Sequence, residues 1–422
     1  MTQTGIEPAT PSADRRGTRT RAAGRRGAGG LRAARERRRA RLGARRSWFG
    51  RHPLATALLG VTVALTPVWW SFGSAVSSPG NGSPTAAAAE WVRSHGGGAV
   101  VRWVENLWYS HHQPPTGGRP PAGAIPPPAR GQSQPAHGVA HLPPPRAIVP
   151  LASPALPGEG QWHAAGRLVH GVPALYEAFL RPDPVHTSVV VGVAWMDTTL
   201  LEARLYSGSY IPGSGPWRFT APVSSTAAQG LVAAFNAGFR MQDAQGGYFS
   251  EGRTVFPLQP GGASVVIFAD GRVTVAKWGR DAVMGPAEVA VRQNLQLLVD
   301  HGAPVPGLQA TDTTRWGATL GNQIYVWRSG LGVTADGALV YVGGPGLNIT
   351  TLADLLVRAG AVRGMELDIN TDWVNFSAYD PRPGQAAAPS NGSSLLGTMA
   401  GGPARYFTPW WSRDFLTLTA RP

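Results

Sequence analysis

A chain of 422 residues with a formal charge of +14 invites a nucleic-acid reading until the charge is located. Residues 1–53 hold 15 Arg against 3 acidic residues (net +12), and the rest holds 23 basic against 21 acidic side chains (net +2), so the globular part has no basic bias. The chain has no cysteine, which excludes disulfides, thiolate zinc sites and a cysteine nucleophile.

In chain order, residues 1–53 are Arg-rich and nearly empty of large apolar side chains, and they are expected to be a disordered cytoplasmic tail. No Asp, Glu, Lys or Arg occurs from His52 to Ala89, and residues 54–76 are long and apolar enough for a transmembrane signal-anchor helix. Trp69 and Trp70 suit an interfacial belt, and the Arg cluster on the N-terminal side places the tail in the cytoplasm. The expectation is a single-pass protein of the cell membrane with an extracellular C-terminal domain. A cleaved signal peptide is the alternative, although Ser74-Ala75-Val76 is a poor cleavage site. The tail is expected to lie against anionic lipid, with no nucleic-acid partner.

Residues 85–112 carry Trp91, Val92, Val100, Val101, Val104, Leu107 and Trp108 at rough helical spacing, interrupted at Gly96-Gly97-Gly98. They read as short amphipathic helices at the membrane surface. Residues 113–157 are Pro-rich and read as an extended, semi-rigid linker; His137 and His141 are linker residues, not a metal pair.

From Gly158 short apolar runs alternate with Gly and Pro. Strands are expected over 188–196, 200–205, 231–235, 264–268, 273–278, 324–327, 330–334 and 338–342, with Asp270-Gly271 and Asp336-Gly337 as hairpin turns. Helices are expected over 288–302 and 351–359, the second starting at a Thr351/Asp354 capping box and stopped by Gly360. The fold class is α+β: a mixed, strand-rich single domain over 158–422, ending in a β-α-β unit of strand 338–342, helix 351–359 and strand 363–370.

That last strand is chemically unusual. Read with strand alternation, Met365, Leu367 and Ile369 face one way and Glu366, Asp368 and Asn370 the other. Acids in an apolar strand need partners or a task. Asp368-x-Asn370-x-Asp372 opens like a calcium loop, but Trp373 and Tyr379 stand where Gly and Glu are required, so an EF-hand is rejected and a divalent cation in another geometry stays open. Two same-face carboxylates about 6.5–7 Å apart along a strand also suit acid/base work on a glycosidic bond. The competing reading pairs these acids with arginines of neighbouring strands. Asn236-Ala237-Gly238-Phe239-Arg240 and Arg328-Ser329-Gly330-Leu331-Gly332 are the other glycine-bearing segments that could face a ligand.

Together, Asn236-Ala237-Gly238-Phe239, Arg328-Ser329-Gly330-Leu331-Gly332 with Asp336-Gly337, Leu352-Ala353-Asp354-Leu355-Leu356 and Leu367-Asp368-Ile369-Asn370-Thr371-Asp372-Trp373 resemble, in order and spacing, the phosphodiester glycosidase family over roughly 185–377. The last segment departs from that family's Leu-Asp-Gly-Gly-Gly-Ser-Ser: Asp368 is kept and the small residues after it are replaced. The resemblance implies a mixed α/β core and hydrolysis of a sugar–phosphate diester, with a cell-envelope glycan as the expected setting. In this reading Asp368 or Glu366 is the acid/base and Arg240 and Arg328 hold phosphate. Asn236 and Asn370 orient hydroxyls, and Asp372 stands among the substrate-binding residues. No cofactor is implied. The alternative is a non-catalytic envelope protein that binds a glycan or a partner through the same cleft.

Overall fold

The structure, a computed structural model, describes residues 32–40, 52–77, 84–101, 103–104, 113–127, 138–208, 211–213, 215–309, 311–312, 315–317, 324–408 and 413–422. Most of the Arg-rich tail, the end of the 85–112 stretch and part of the Pro-rich stretch with His137 therefore lie outside the described residues. Met1–Ser71 and Phe72–Pro422 are separate compact units.

In the tail, residues 32–40 are helical and exposed where the sequence predicts disorder; five Arg, three Ala and Glu36, all strong helix formers, favour a helix there. Helix α1, Pro53–Ser77, has no charged residue, and it is long and apolar enough to cross a membrane. Its Leu54, Leu58 and Trp70 are 85%, 70% and 80% exposed, the pattern of a helix without a protein core around it. Helix α2, Pro84–Val92, runs into a kinked turn over Arg93–Gly97, where Gly96 takes φ +87°.

Among the described residues after these helices, eighteen strands build the fold. They are β1 (His163–Val169), β2 (Val172–Leu180), β3 (Val191–Met196), β4 (Leu201–Tyr206), β5 (Leu231–Asn236), β6 (Tyr248–Ser250), β7 (Arg253–Phe256), β8 (Ala263–Phe268) and β9 (Val273–Lys277) in the first half. The second half holds β10 (Glu288–Gln293), β11 (Leu297–Asp300), β12 (Ala303–Pro304), β13 (Val326–Thr334), β14 (Leu339–Leu347), β15 (Ala361–Glu366), β16 (Phe376–Tyr379), β17 (Gly392–Ser394) and β18 (Phe415–Ala420). They form an eight-stranded sheet, β1-β2-β3-β14-β13-β15-β11-β12, and two five-stranded sheets, β7-β6-β10-β8-β9 and β17-β16-β5-β18-β4. One face of the large sheet, with Leu175, Met196, Leu331, Tyr341 and Met365, packs against β5, β8 and β18 through Phe235, Val265, Ile267 and Leu416.

The opposite face carries helix α3, Ile349–Arg358. Ile349, Leu352, Ala353, Leu355 and Leu356 are its buried stripe. It starts two residues earlier than the sequence suggested, because Asn348 is the N-cap: its Oδ1 accepts from Thr351 N at 2.8 Å and from Thr350 Oγ1 at 2.6 Å. Gly360, at φ +96°, ends it as expected. Gly330, Gly332 and Gly364 leave the sheet surface bare beneath its leucines; a Cβ on Gly332 would stand 2.6 Å from Ala361 Cβ.

The expected β-α-β unit is present in split form. β14 and β15 flank β13, which pairs antiparallel with both. The helix expected over 288–302 is instead β10 and β11. Its valines and leucines satisfy either period, and the buried Arg292, Gln293 and Asn294 show what a helical reading hides.

The Pro-rich stretch does not stand off as a spacer where it is described. Leu142 N donates to Asp197 Oδ2 at 2.7 Å, and Trp162 Nε1 donates to Arg146 O at 2.8 Å. Arg181, just after β2, bonds Ala152 O in this stretch and Glu159 just beyond it, at 3.0 and 2.8 Å. Ile148 is buried.

Candidate functional site around Asp368

β15 ends at Glu366, not at residue 370. Leu367 N donates to Ser329 O at 2.8 Å, and Ser329 N donates to Asp368 O, also at 2.8 Å. Leu367 and Asp368 thus oppose the single residue Ser329, the pattern of a β-bulge, and Asp368 leaves the alternation it was expected to share with Glu366. The skipped Leu367 carbonyl is taken by Asn294 Nδ2 at 3.2 Å, which also holds Glu366 O at 2.8 Å. Beyond the bulge Asn370 opens an Asx turn: its Oδ1 accepts from Asp372 N at 2.8 Å, and its carbonyl accepts from Trp373 N at 3.0 Å.

The two acids therefore have different surroundings. Glu366 is fully buried, and its Oε1 lies 2.5 Å from Arg328 Nη1, with Arg328 Nε also on Leu347 O at 3.1 Å. Burial pushes the Glu366 carboxyl up against the pull of Arg328. Neither member of this pair faces solvent, which is the arginine-pairing arrangement weighed for the acid strand from sequence.

Asp368 is 3% exposed. Its Oδ1 accepts from Ile369 N at 2.8 Å, and its Oδ2 is 3.0 Å from Arg413 Nη2. That second contact is an ion pair whose angle does not make a hydrogen bond, so Oδ2 stays without a hydrogen-bond partner. Burial raises the Asp368 carboxyl above its ordinary range; Arg413, then Ile369 N, Arg240 and Arg292, pull it down. Other buried atoms of this cluster also have no hydrogen-bond partner: Glu366 Oε2, Asp414 Oδ1, Arg405 Nε and Arg413 Nε. Several orphaned polar atoms around one carboxylate are what a site that takes a ligand or water leaves open.

Asn236 sits at the end of β5 and holds the centre together. Its Nδ2 donates to Ser329 Oγ at 3.0 Å, and its Oδ1 accepts from Tyr341 OH at 3.0 Å and Asn375 N at 3.2 Å. Ser329 Oγ in turn accepts from Asp368 N at 3.2 Å. With both amide ends engaged, Asn236 acts on Asp368 through Ser329. Arg240 is more open, its side chain 25% exposed, and pairs with Asp243 at 2.8 Å. Asn370 and Asp372 are half-buried on the outer turn, and the Asp372 carbonyl accepts from Arg405 Nη2. Asn236, Arg328, Glu366 and Asp368 thus converge at one place, and the charge field of Arg240 reaches Asp368.

The other half of the cluster comes from residues that no local sequence pattern marks. Arg292, completely buried, bonds Asp414 Oδ2 at 2.5 Å, Gln293 O at 2.6 Å and the Phe239 carbonyl. Gly238 gives it room, since a Cβ there would stand a tight 3.2 Å from the guanidinium. Arg413 donates to Gly238 O at 3.0 Å and lies 4.5 Å from the Trp373 ring centre, and Arg405 lies 5.1 Å from the same ring. Burial holds the Arg405 guanidinium below its ordinary value. Arg292 was hidden in an apolar run taken for a helix. Arg413-Asp414 precede a Thr-alternating strand, Phe415-Leu416-Thr417-Leu418-Thr419, whose period was the available signal. Among the described residues no three His, Asp or Glu gather as a metal's ligand set.

The family model of phosphodiester glycosidases matches residues 229–368. Those residues belong to that family. The phosphodiester glycosidase stretch opens at β5 and closes on Asp368, so it contains Asn236, Arg240, Arg292, Arg328 and Glu366; Arg405, Arg413 and Asp414 lie beyond it. Among solved structures, the chain is similar to the zebrafish N-acetylglucosamine-1-phosphodiester alpha-N-acetylglucosaminidase catalytic domain auto-inhibited by its pro-peptide (14% identity, 62% of this chain and 88% of that one, TM-score 0.38). It is also similar to a hypothetical protein from Synechocystis (15% identity, 59% and 63%, TM-score 0.31) and to a protein from Burkholderia pseudomallei K96243 (12% identity, 55% and 74%, TM-score 0.28). No curated protein matches the chain.

Proposed function

We propose that this protein is a membrane-anchored, extracytoplasmic hydrolase that cleaves the glycosidic bond of a sugar–phosphate diester, with Asp368 as the acid/base. The single observation that carries this reading is the Asp368 carboxyl itself. It is nearly buried and raised, its Oδ2 is open to a hydrogen bond, and it is set by a bulge at the end of the family-matched stretch. In the reaction the bond between the anomeric carbon and a phosphate oxygen breaks, water supplies the hydroxyl to the sugar, and the phosphate leaves as a monoester. Arg413 and Arg240 suit the role of holding that phosphate. Arg328, engaged by Glu366, instead fixes the floor, as Asn236 fixes Ser329. Helix α1 supports the anchor, and the arginines before it support a cytoplasmic N-terminus with the catalytic domain at the outer face of the cell membrane, acting on envelope glycans.

The test is turnover of a panel of glycosyl phosphodiesters by the detergent-solubilised full chain, with and without added divalent ions. The reading requires release of free sugar that Asp368→Asn reduces by a factor of about 10² or more. No release from any diester would sink it. The close burial of Asp368 favours a second reading, glycan or partner binding through this cleft without turnover; glycan binding that survives Asp368→Asn in a wild-type protein that never turns over would select it. Resistance of the protein to extraction from membranes by alkaline carbonate tests the anchor.

A further inference from the structure

A second concave feature shares Leu295 with the packing next to Asp368. Leu295 packs with Phe239 and Ile369, the residue after Asp368, and it also lines a cavity of about 440 Å³. Gln259, Gln296, Lys277, Arg315, Gly261 and Asp300 are among the other lining residues. That volume is within the range of small-ligand sites.

The groove is built, not a gap between loops. The fully buried Gln293 lies beneath it and accepts from Gly247 N at 2.8 Å and from Gln259 N at 2.7 Å through Oε1, while its Nε2 donates to Ser264 Oγ at 3.1 Å. Two non-glycine residues on its rim take left-handed backbone, Leu295 at φ +54° and Gln245 at φ +49°. Leu295 is held there by its N–H on Ala244 O at 2.7 Å. Bulky residues held in that conformation collect at ligand clamps.

Its charge is specific. Lys277 is the only lysine in the sequence, and its stem runs past Gly261, whose Cβ position is 3.9 Å from Lys277 Cε. No acidic side chain among the described residues forms an ion pair with its ammonium. Arg315 lies over the Trp316 ring at 4.7 Å and donates from Nε to Gln296 Oε1 at 3.0 Å, which aims the guanidinium without neutralising it. The one acid, Asp300, is already bonded twice by Arg280, at 2.6 and 2.8 Å. Two uncompensated cations beside carboxamides and a glycine backbone match an anion on a hydroxylated ring.

We propose that this groove binds a sugar-phosphate residue, the unit of a polymeric substrate adjacent to the diester attacked at Asp368. Its link to turnover rests on the hydrolase reading; its binding chemistry does not. Lys277 and Arg315 hold the phosphate, and Gln259 and Gln296 receive ring hydroxyls.

The single lysine makes the test direct. The full chain is treated with an amine-reactive acylating reagent, and modification of Lys277 is followed by mass spectrometry in the presence of glucose 1-phosphate, glucose or inorganic phosphate. Protection by glucose 1-phosphate is expected, with glucose and inorganic phosphate each much weaker. Arg315→Gln should raise the half-protecting concentration about tenfold, and Asp368→Asn should leave it unchanged. Absence of protection, or equal protection by inorganic phosphate, overturns the site. On diester substrates, Lys277→Gln/Arg315→Gln should lower kcat/KM for multi-unit substrates while sparing a single-unit diester. Equal loss on both, or on neither, overturns the adjacent-unit assignment. If the wild-type chain turns over no diester yet Lys277 is still protected, the hydrolase reading fails and the binding site stands.

Discussion

At the scale of single residues, Asp368 and Glu366 look equivalent in the sequence and are not. Glu366 is the buried partner of Arg328, and breaking that pair from one side strands a charge. Arg328→Ala should destabilise the fold by about 3–5 kcal/mol in denaturant unfolding, whereas the paired apolar exchange Arg328→Met/Glu366→Met should recover most of it. Asp368 answers to Arg413. Replacing that cation with Gln removes the largest influence lowering the raised Asp368 carboxyl, so the limb of the pH–rate profile that reports Asp368 should move to higher pH. A third acid gives a stability prediction. Burial alone pushes Glu177 from 4.5 to about 7. Between those values the unfolded chain releases its proton while the fold retains it, so stability falls as pH rises from about 4.5 to 7. Glu177→Gln should flatten that fall by about 1–2 kcal/mol, measured by unfolding at several pH values. The four residues picked from the sequence that converge were legible because each broke a local pattern: an Asn ending an apolar strand, an Arg opening a glycine strand, acids in an apolar one. Arg292, Arg405, Arg413 and Asp414 were not, because their meaning lies in contacts across as many as 175 positions, as between Arg413 and Gly238.

Among the elements, the split β-α-β unit does the positioning. α3 lies so close to β13 and β15 that glycines are needed beneath it. Gly332→Ala would push a methyl against Ala361 Cβ and the Arg363 carbonyl, at 2.6 and 3.1 Å, and should cost about 1–3 kcal/mol in thermal or denaturant unfolding. The helix itself was legible from its leucine spacing and Gly360. The bulge after Glu366 was not, because alternation in the sequence carries no record of an inserted residue; only the partner strand's Ser329 reveals that two residues oppose one. β1 and β2 escaped notice for a related reason. They are joined at His170-Gly171, with φ +50° and +79°, a left-handed two-residue turn without the usual Asn or Asp.

For the molecule as a whole, three sheets and one helix layer replace the cross-links that a chain without cysteine lacks. The Pro-rich strap is part of that assembly. Arg181 fastens it, and Arg181→Ala leaves Glu159, buried beside it, without its cation. The expected outcome is loosening of the strap, read as faster tryptic cleavage after Arg146 than in the wild-type chain. Docking of the strap also has a consequence for reach. As a free polyproline spacer, 45 residues would let a tethered domain patrol a radius of about 140 Å. With residues 114–127 and 138–157 fastened along the domain's own surface, that length is withdrawn from the leash. For the anchored hydrolase proposed above, so short a leash predicts targets rooted in or growing from the same surface rather than material diffusing in the layer above.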